Sequence, residues 1–441
     1  MTVREQGSSN KVFYYTLTGP YTTFNMRMEI TLAREVQAAL WARCVDKVLK
    51  VFPEFAVRPV IMNNRVCSEE NHAPAPVFTE ARVRALGTDD TNGYLFCHIV
   101  EGCRIRVSFF HGLCDAIGME CFLDCALYIY AKKTGLLKAE DAVPAIYESR
   151  FGAERPASLM ELSEEALDPY GHLVKTCALA SDRKALERDD YYFAPRQREL
   201  VQSDSVHVYS VHTGTGAFLG LSKAMGVSFT ALLIPLIARA ISKGCQAQEE
   251  TMCVMLPVNL RQIYGVKTLV NFSDGIKFFL DGDLRRQPLA MQAAACMKRL
   301  KAGMTRDYFD ASIMGTVRAV KAFEAGDTPA ERVEPRPFVT LSEGRRPPYT
   351  CALTYPRRMQ DFSFLNDVNY GFVVSTSVAV VVYTWRDHMA IRFVQKSDSD
   401  AIAKAMAACL EAEGLRAEVR DEGLVEGDVL LMSRLKKREE G

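Results

Sequence analysis

Net charge is absent from this chain: Lys and Arg together number 54, as do Asp and Glu, over 441 residues. Without a surplus of one sign there is no global field to draw in nucleic acid or an anionic membrane, so any anionic ligand has to be met by a local group of side chains. The 13 cysteines include no C-x-x-C pair, and Cys44, Cys97, Cys121, Cys125 and Cys253 all sit inside apolar segments. That usage argues against a disulfide frame or zinc site and for buried thiols in a reducing cytosol. The longest apolar stretches, 229–241 and 371–385, fall short of the ~20 residues that span a bilayer, and they contain Pro, Arg, Ser or Thr. Met1 to Lys11 is polar and has no apolar core of a signal peptide. The expectation is a soluble cytoplasmic protein with no nucleic-acid partner, no membrane span and no metal.

What is present is apolar material in quantity, 48% of residues, enough for full-sized cores in two or three domains. The first half reads as strands near 12–17 and 24–32, then a helix in which Val36, Leu40, Cys44, Val48 and Phe52 form one apolar stripe ended by Pro53. A strand over 55–62 follows, with Asn63-Asn64 as a tight turn, and a hairpin pairs 94–100 with 104–110 around Glu101-Gly102. The stretch from Ala153 to about Ser205 is charged, contains Pro156, Pro169 and Pro195, and reads as an irregular crossover. Beyond it the pattern begins again. Strands are expected at 206–211, 252–258, 349–355, 372–383 and 389–395, with helices over 217–225, 229–242, 289–302, 311–325 and 400–413. The run 372–383, apolar on either side of Ser375-Thr376-Ser377, is expected to be one strand buried on both faces. This α/β (α+β) order divides the chain into an N-terminal lobe, 1–180, a linker, 181–205, and a C-terminal lobe, 206–441.

The densest chemistry lies where the strand Arg104–Phe110 delivers His111-Gly112-Leu113-Cys114-Asp115 into a helix marked by Phe122, Cys125, Ala126, Ile129 and Tyr130. A neutral imidazole at a strand's end can take a proton from a hydroxyl or thiol near neutral pH if the fold presents its ring to a cavity. Asp115 sits at the N-cap position of that helix, a role that by itself accounts for the residue type. His98 lies on the apolar hairpin and reads as a core histidine. His207 and His212, five apart near a strand, fall on opposite faces with no third ligand nearby. Arg345-Arg346 and Arg357-Arg358 suit phosphate oxygens or are solvated loop charges, and the mixed-charge run 434–440 reads as a frayed end.

The segment His111-Gly112-Leu113-Cys114-Asp115-Ala116-Ile117-Gly118 resembles the H-x-x-x-D-G element of the acyltransferase superfamily that contains chloramphenicol acetyltransferase, plant BAHD acyltransferases and peptide-synthetase condensation domains. Pro257-Val258-Asn259-Leu260-Arg261 with Asn271-Phe272 resembles the second-lobe P-V-N-x-R and N-F element of those families, and Val51-Phe52-Pro53-Glu54-Phe55 with Arg58 is similar to a first-lobe segment. Three departures stand out. Phe110 occupies the place of a further His in condensation domains, Ala116 replaces the glycine after the Asp, and only Asn369-Tyr370-Gly371-Phe372 is found where plant enzymes carry D-F-G-W-G. Bacterial alcohol acetyltransferase-like proteins therefore offer the nearest resemblance.

The resemblance implies a two-lobed chloramphenicol acetyltransferase-like sandwich with an interlobe channel, entered by a thioester donor and by an acceptor. It implies an acyltransferase, with an O-acyl product, that needs no tightly bound cofactor and uses acyl-CoA or an acyl-carrier thioester as co-substrate. Its partners would be a small-molecule donor and acceptor, with an acyl carrier protein as the macromolecular one. His111 would be the general base. Asp115 and Arg261 would support the site as a buried ion pair, and Asn271 or Ser273 would bind substrate or stabilise the oxyanion. One reading from another class stays open, a catalytically inactive two-lobed protein that holds a hydrophobic ligand or a partner.

Overall fold

The computed structural model describes residues 3–4, 9, 24–62, 65–152, 156, 158–179, 190–194, 200, 205–325, 349–355, 359–374, 378–428, 430 and 435–438. The expected strand at 12–17, the Asn63-Asn64 turn and both Arg pairs lie outside these residues, as does most of the linker 181–205. So does all of the run 434–440 except 435–438.

Strands β1 (Val3–Arg4), β2 (Phe24–Leu32), β3 (Val57–Met62), β4 (Arg65–Glu70), β5 (Val77–Phe78), β6 (Phe96–Glu101) and β7 (Arg104–Phe110) come from the first half. The second half supplies β8 (Ser205–Gly214), β9 (Met252–Asn259), β10 (Ser273–Leu280), β11 (Cys351–Thr354), β12 (Leu365–Val374), β13 (Val378–Trp385), β14 (His388–Gln395), β15 (Glu418–Glu426) and β16 (Lys436–Arg438). They form three sheets, with strand orders β12-β2-β7-β6-β5, β10-β9-β11-β13-β14-β8-β15 and β1-β4-β3-β16. Two cores result, one on the five-stranded sheet under helices Ala38–Leu49 and Ala116–Thr134, the other on the seven-stranded sheet under Phe229–Gly244, Leu289–Gly303 and Ala401–Ala412. The fold is thus the two-lobed α/β sandwich expected from the sequence.

Period-two alternation explains the first sheet. Met26, Met28 and Ile30 of β2 and Ile105, Val107 and Phe109 of β7 are buried, while Arg27, Glu29 and Arg106 between them face the other way. Asn25 lies opposite Phe110 and Arg27 opposite Ser108, so the end of β7 is fixed by its ladder with β2. The hairpin from β6 turns at Gly102, whose φ of +58° is open to glycine and strained for other residues.

Two strands of the expected C-terminal lobe, 206–441, belong to N-terminal sheets. β12 pairs along its whole length with β2, and β16 pairs in parallel with β3. The apolar run 372–383, expected as one strand, is shared between β12 in one lobe and β13 in the other. The polar triplet Ser375-Thr376-Ser377 separates the two parts in the sequence, an interruption that the one-strand reading passed over. Within the second sheet β13 is flanked by β11 and β14, and its residues are buried with the single exception of the half-buried Thr384. Sequence reading also missed β15, a mostly exposed edge strand whose charges hide any alternation. Among the described residues no single helix is long and apolar enough to cross a membrane.

Among the described residues none of the 13 cysteines is in a disulfide, and nine are buried. Burial pushes the thiol of Cys44 up to about 11 and that of Cys253 up to about 12, which keeps them protonated and unreactive. His98 is fully buried among Trp41, Phe96 and Phe122, and its Nδ1 accepts a 3.3 Å hydrogen bond from Trp41 Nε1. Burial lowers its pKa to about 3. An unfolded chain protonates this imidazole below about pH 6.5 whereas the folded one does not, so stability is present above that pH and lost as pH falls through it. Between pH 7 and pH 5 this group alone should remove about 2 kcal/mol. Urea titrations of the protein and of His98→Leu should show the variant's stability falling less steeply over that range; equal slopes would reject the assignment.

Candidate active site between the lobes

His111 follows β7 directly, and its backbone N–H donates to Phe24 O at 2.7 Å, extending the β2–β7 ladder by one bond. The next residues turn tightly, with Leu113 N–H donating to Phe110 O at 2.9 Å, and Asp115 then caps helix Ala116–Thr134 through a 3.0 Å bond from Gly118 N–H to Oδ1. An acidic N-cap places negative charge where the helix N-terminus favours it. This turn exposes one side of the His111 ring to the second lobe.

The second lobe meets it with the segment between β9 and β10. Arg261 begins the short helix Arg261–Tyr264 just after β9, and its guanidinium grips Asp115 with two bonds, Nη1 to Oδ2 at 2.7 Å and Nη2 to Oδ1 at 3.0 Å. Its other donors are used as well: Nε reaches Thr268 O at 2.7 Å, Nη1 reaches Asn259 Oδ1 at 3.1 Å, and Nη2 reaches Val270 O at 2.8 Å. All five N–H groups of the fork thus have acceptors. Asp115 takes a further bond from Phe272 N–H at 3.2 Å, so its carboxylate joins the β7 turn, the helix and the second lobe. Asp115 is 7% exposed. A bidentate, fully hydrogen-bonded pair of this kind is the arrangement in which buried charges are tolerable.

Asn271 is buried beside the ring. Its Nδ2 donates to His111 O at 2.8 Å and lies 3.1 Å from His111 Nδ1, while its Oδ1 accepts from Ser273 Oγ at 2.8 Å. The His111 carbonyl can only accept, and this fixes which end of the amide faces His111. Asn271 and Ser273 were expected to bind substrate or stabilise an oxyanion; in this structure the Asn271 amide N–H faces His111 and the Ser273 hydroxyl donates to Asn271. The pair holds the imidazole from the second lobe. Nδ1 also lies 3.3 Å from Cys114 O. A carbonyl only accepts, so this contact supports the tautomer with its proton on Nδ1 and its lone pair on Nε2, whereas the Asn271 amide supports the reverse. Burial lowers the pKa of His111, with the Cys114 carbonyl and Asp115 acting in the opposite sense. The ring is therefore neutral at cellular pH, as a base must be.

Gly118 has a role that the motif alone did not show. A Cβ built on it would stand 2.0 Å from Leu269 O and 3.0 Å from Cys114 Cβ. The first turn of the helix touches second-lobe backbone there, and only a residue without a side chain permits the approach. Gly118→Ala should cost ~1–3 kcal/mol by overpacking and should also slow any reaction that needs His111 in register with Asn271. Thermal unfolding and turnover of that variant check both; a change in neither would show that the contact yields freely.

Of the other histidines, His207 Nε2 pairs with Asp421 Oδ1 at 2.7 Å, and His212 joins Ser210 and His388 on strands β8 and β14. The sequence had placed no role on His388. None of them lies in the segments that build the His111 site.

No family model matches the chain, and no curated protein matches it. Solved structures do. Polyketide synthase associated protein 5 from Mycobacterium tuberculosis superposes with a TM-score of 0.60 at 13% identity, over 92% of this chain and 97% of that one. TRI101 of F. sporotrichioides, in complex with coenzyme A and T-2, gives 0.58 at 11% identity over 93% and 99%. The starter condensation domain of rhizomide synthetase RzmA, in complex with C8-CoA and Leu-SNAC, gives 0.55 at 11% identity over 93% and 94%. The likeness spans both lobes and is one of fold.

Proposed function

We propose that this chain is an acyltransferase that moves an acyl group from a thioester donor to a hydroxyl or amine acceptor, with His111 as general base. One observation carries the reading: the turn that presents His111 at the end of β7 is held from the opposite lobe, by Asn271 at the His111 carbonyl and by Arg261 at Asp115. Structures of the same fold hold coenzyme A with T-2 and C8-CoA with Leu-SNAC, which supports a thioester or thiol ligand.

In this mechanism the acceptor's O–H or N–H gives its proton to His111 Nε2 as the oxygen or nitrogen attacks the thioester carbonyl. Collapse of the tetrahedral intermediate breaks the C–S bond, and the imidazolium returns the proton to the leaving thiolate. No acyl-enzyme is required. The proton on Nδ1 during this step rests against Cys114 O, so the turn as well as the ring takes part. Ion pairing by Asp115 is directed at Arg261 and leaves the base role to His111 alone. The donor is proposed to be acyl-CoA or an acyl-carrier thioester, and an O-acyl product and a cytoplasmic setting remain part of the same reading.

The test is release of free thiol with a panel of acyl-CoA donors of increasing chain length against alcohols and amines. Thiol release that depends on acceptor and is lost in His111→Ala supports the reading. Saturable binding of donor or acceptor without thiol release would overturn it in favour of a two-lobed binding protein.

A further inference from the structure

The second-lobe stretch 267–273 presents three groups to the His111 turn: Leu269 O against Gly118, the Asn271 amide at His111, and Phe272 N–H at Asp115. Two more of its groups, Thr268 O and Val270 O, hold the Arg261 guanidinium. The stretch has no regular structure until β10 begins at Ser273. A segment of this kind holds a site in register only if bonds from outside fix it.

Those bonds come from residues 164–170. Glu165 Oε1 accepts Lys267 N–H at 2.9 Å, Ala166 O accepts the Thr268 hydroxyl, and the Tyr170 hydroxyl donates to Ser273 O at 2.7 Å. Tyr170 lies in the first turn of helix Pro169–Thr176, which Asp168 caps by accepting Gly171 N–H at 3.2 Å. Its ring is buried in the core of the second lobe and stands edge-on to Phe272, with centroids 5.3 Å apart. Phe272 O accepts Leu260 N–H at 3.1 Å on the side of β9, so the alternation of carbonyls turns Ser273 O the other way. β10 is the outermost strand of its sheet, and the Tyr170 hydroxyl stands there in place of a further strand. From Ser273 the bonds continue inward. Ser273 Oγ donates to Asn271 Oδ1 at 2.8 Å, and Asn271 Nδ2 reaches His111 O at 2.8 Å and lies 3.1 Å from Nδ1.

We propose that Tyr170 is a positioning residue for the reaction, its hydroxyl setting the orientation of the His111 imidazole through Ser273 and Asn271. This rests on the reading of His111 as the base. With the hydroxyl gone, Ser273 O loses its donor, and the start of β10 carries Asn271 away from the ring. Nε2 is then aimed at the acceptor for a smaller fraction of the time, which lowers kcat and leaves substrate binding alone. The Asn271 N–H also opposes a proton on Nδ1, so its retreat moves the imidazole back toward its ordinary titration. Asp115, paired with Arg261, is the charged group that acts on the ring, and it is the same in both proteins.

The experiment compares the whole chain with Tyr170→Phe, labelled with ¹³C-histidine, by NMR titration and by kcat and KM against pH. The phenyl ring keeps its packing on Phe272, so the variant isolates the hydroxyl. Turnover should fall by about tenfold with KM changed less than about twofold. The His111 Cε1–H signal should shift, and the acid limb of the rate profile should move up toward the ordinary imidazole value of ~6.5. Ser273→Ala keeps the carbonyl that Tyr170 binds and breaks the chain one link further on, so it gives the same test if Tyr170→Phe does not fold. It should move His111 in the same direction, and the double variant should be no worse than the more affected single one. A Tyr170→Phe protein that melts lower but keeps the His111 signal, rate profile and kcat makes Tyr170 a stabilising contact only and overturns the proposal. So does a His111 signal unmoved by Ser273→Ala. The NMR titration needs no substrate, so its result stands apart from whether the chain releases thiol.

Discussion

His111→Ala is expected to lower turnover by about 10² to 10⁴-fold, the range that a positioned general base contributes. The fold should survive the change. Asn271 Nδ2 bonds to the backbone carbonyl of residue 111 at 2.8 Å, and that bond remains when the ring is gone. Melting temperature and donor binding should therefore stay close to those of the unaltered protein, which separates loss of chemistry from loss of structure. The pH profile gives a second check. Because burial lowers the pKa of His111, its neutral form persists below the usual imidazole value. The rate should be level from about pH 7 to 8 and fall only as the pH drops through that lowered pKa, because the protonated ring cannot accept the acceptor's proton. Unaltered turnover in His111→Ala, or a rate that stays level far into acid, would remove His111 from the mechanism.

The second large effect concerns the ion pair. Asp115→Ala leaves two donors of a 12% exposed guanidinium without acceptors and also removes the cap of helix Ala116–Thr134. Arg261→Ala leaves a buried carboxylate that keeps only the N–H groups of Gly118 and Phe272. Each single change should destabilise the protein by ~3–5 kcal/mol, the usual consequence of stranding one partner of a buried pair. Asp115→Ala should be the worse of the two, since the cap is lost with it. Both should also slow turnover, because the pair ties the turn that aims His111 to the backbone that carries Asn271. The double variant should lose clearly less than the two single losses combined, as the second removal relieves the charge stranded by the first. Denaturant midpoints for the four proteins measure this coupling, and strict additivity would mean that the two residues stabilise the protein independently.

Much of the fold was legible because the determining signals are local. Strand β7 runs over Arg104–Phe110, as its alternation and the Glu101-Gly102 turn required, and the helix after Asp115 begins at Ala116, where an N-cap places it. Within the site, His111 and Asp115 stand out through their position at a strand's end and a helix's start. Roles that depend on distant neighbours were not readable. The direction of the Asn271 amide is set by what surrounds it, here a serine hydroxyl on one side and a first-lobe carbonyl on the other. Nothing near Gly118 in the chain tells that it makes room for Leu269 O, about 150 positions away.

By itself, then, the sequence determined the periodic elements, the apolar content of two cores and the chemistry at residues 111 and 115, because hydrophobic spacing, capping and turn residues act within a few positions of one another. Which sheet each strand joins was decided only in three dimensions. Residues 372–374 and 378–383 are apolar and stand only three residues apart in the chain, yet the first part completes a ladder on β2 and the second lies between β11 and β14. The joining of the lobes at Asp115–Arg261, 146 positions apart, and the bond from Tyr170 to Ser273 O, 103 positions apart, belong to the same class. Contacts between residues far apart in the chain leave no periodic trace, and they exist only once both cores have formed and brought the two surfaces together.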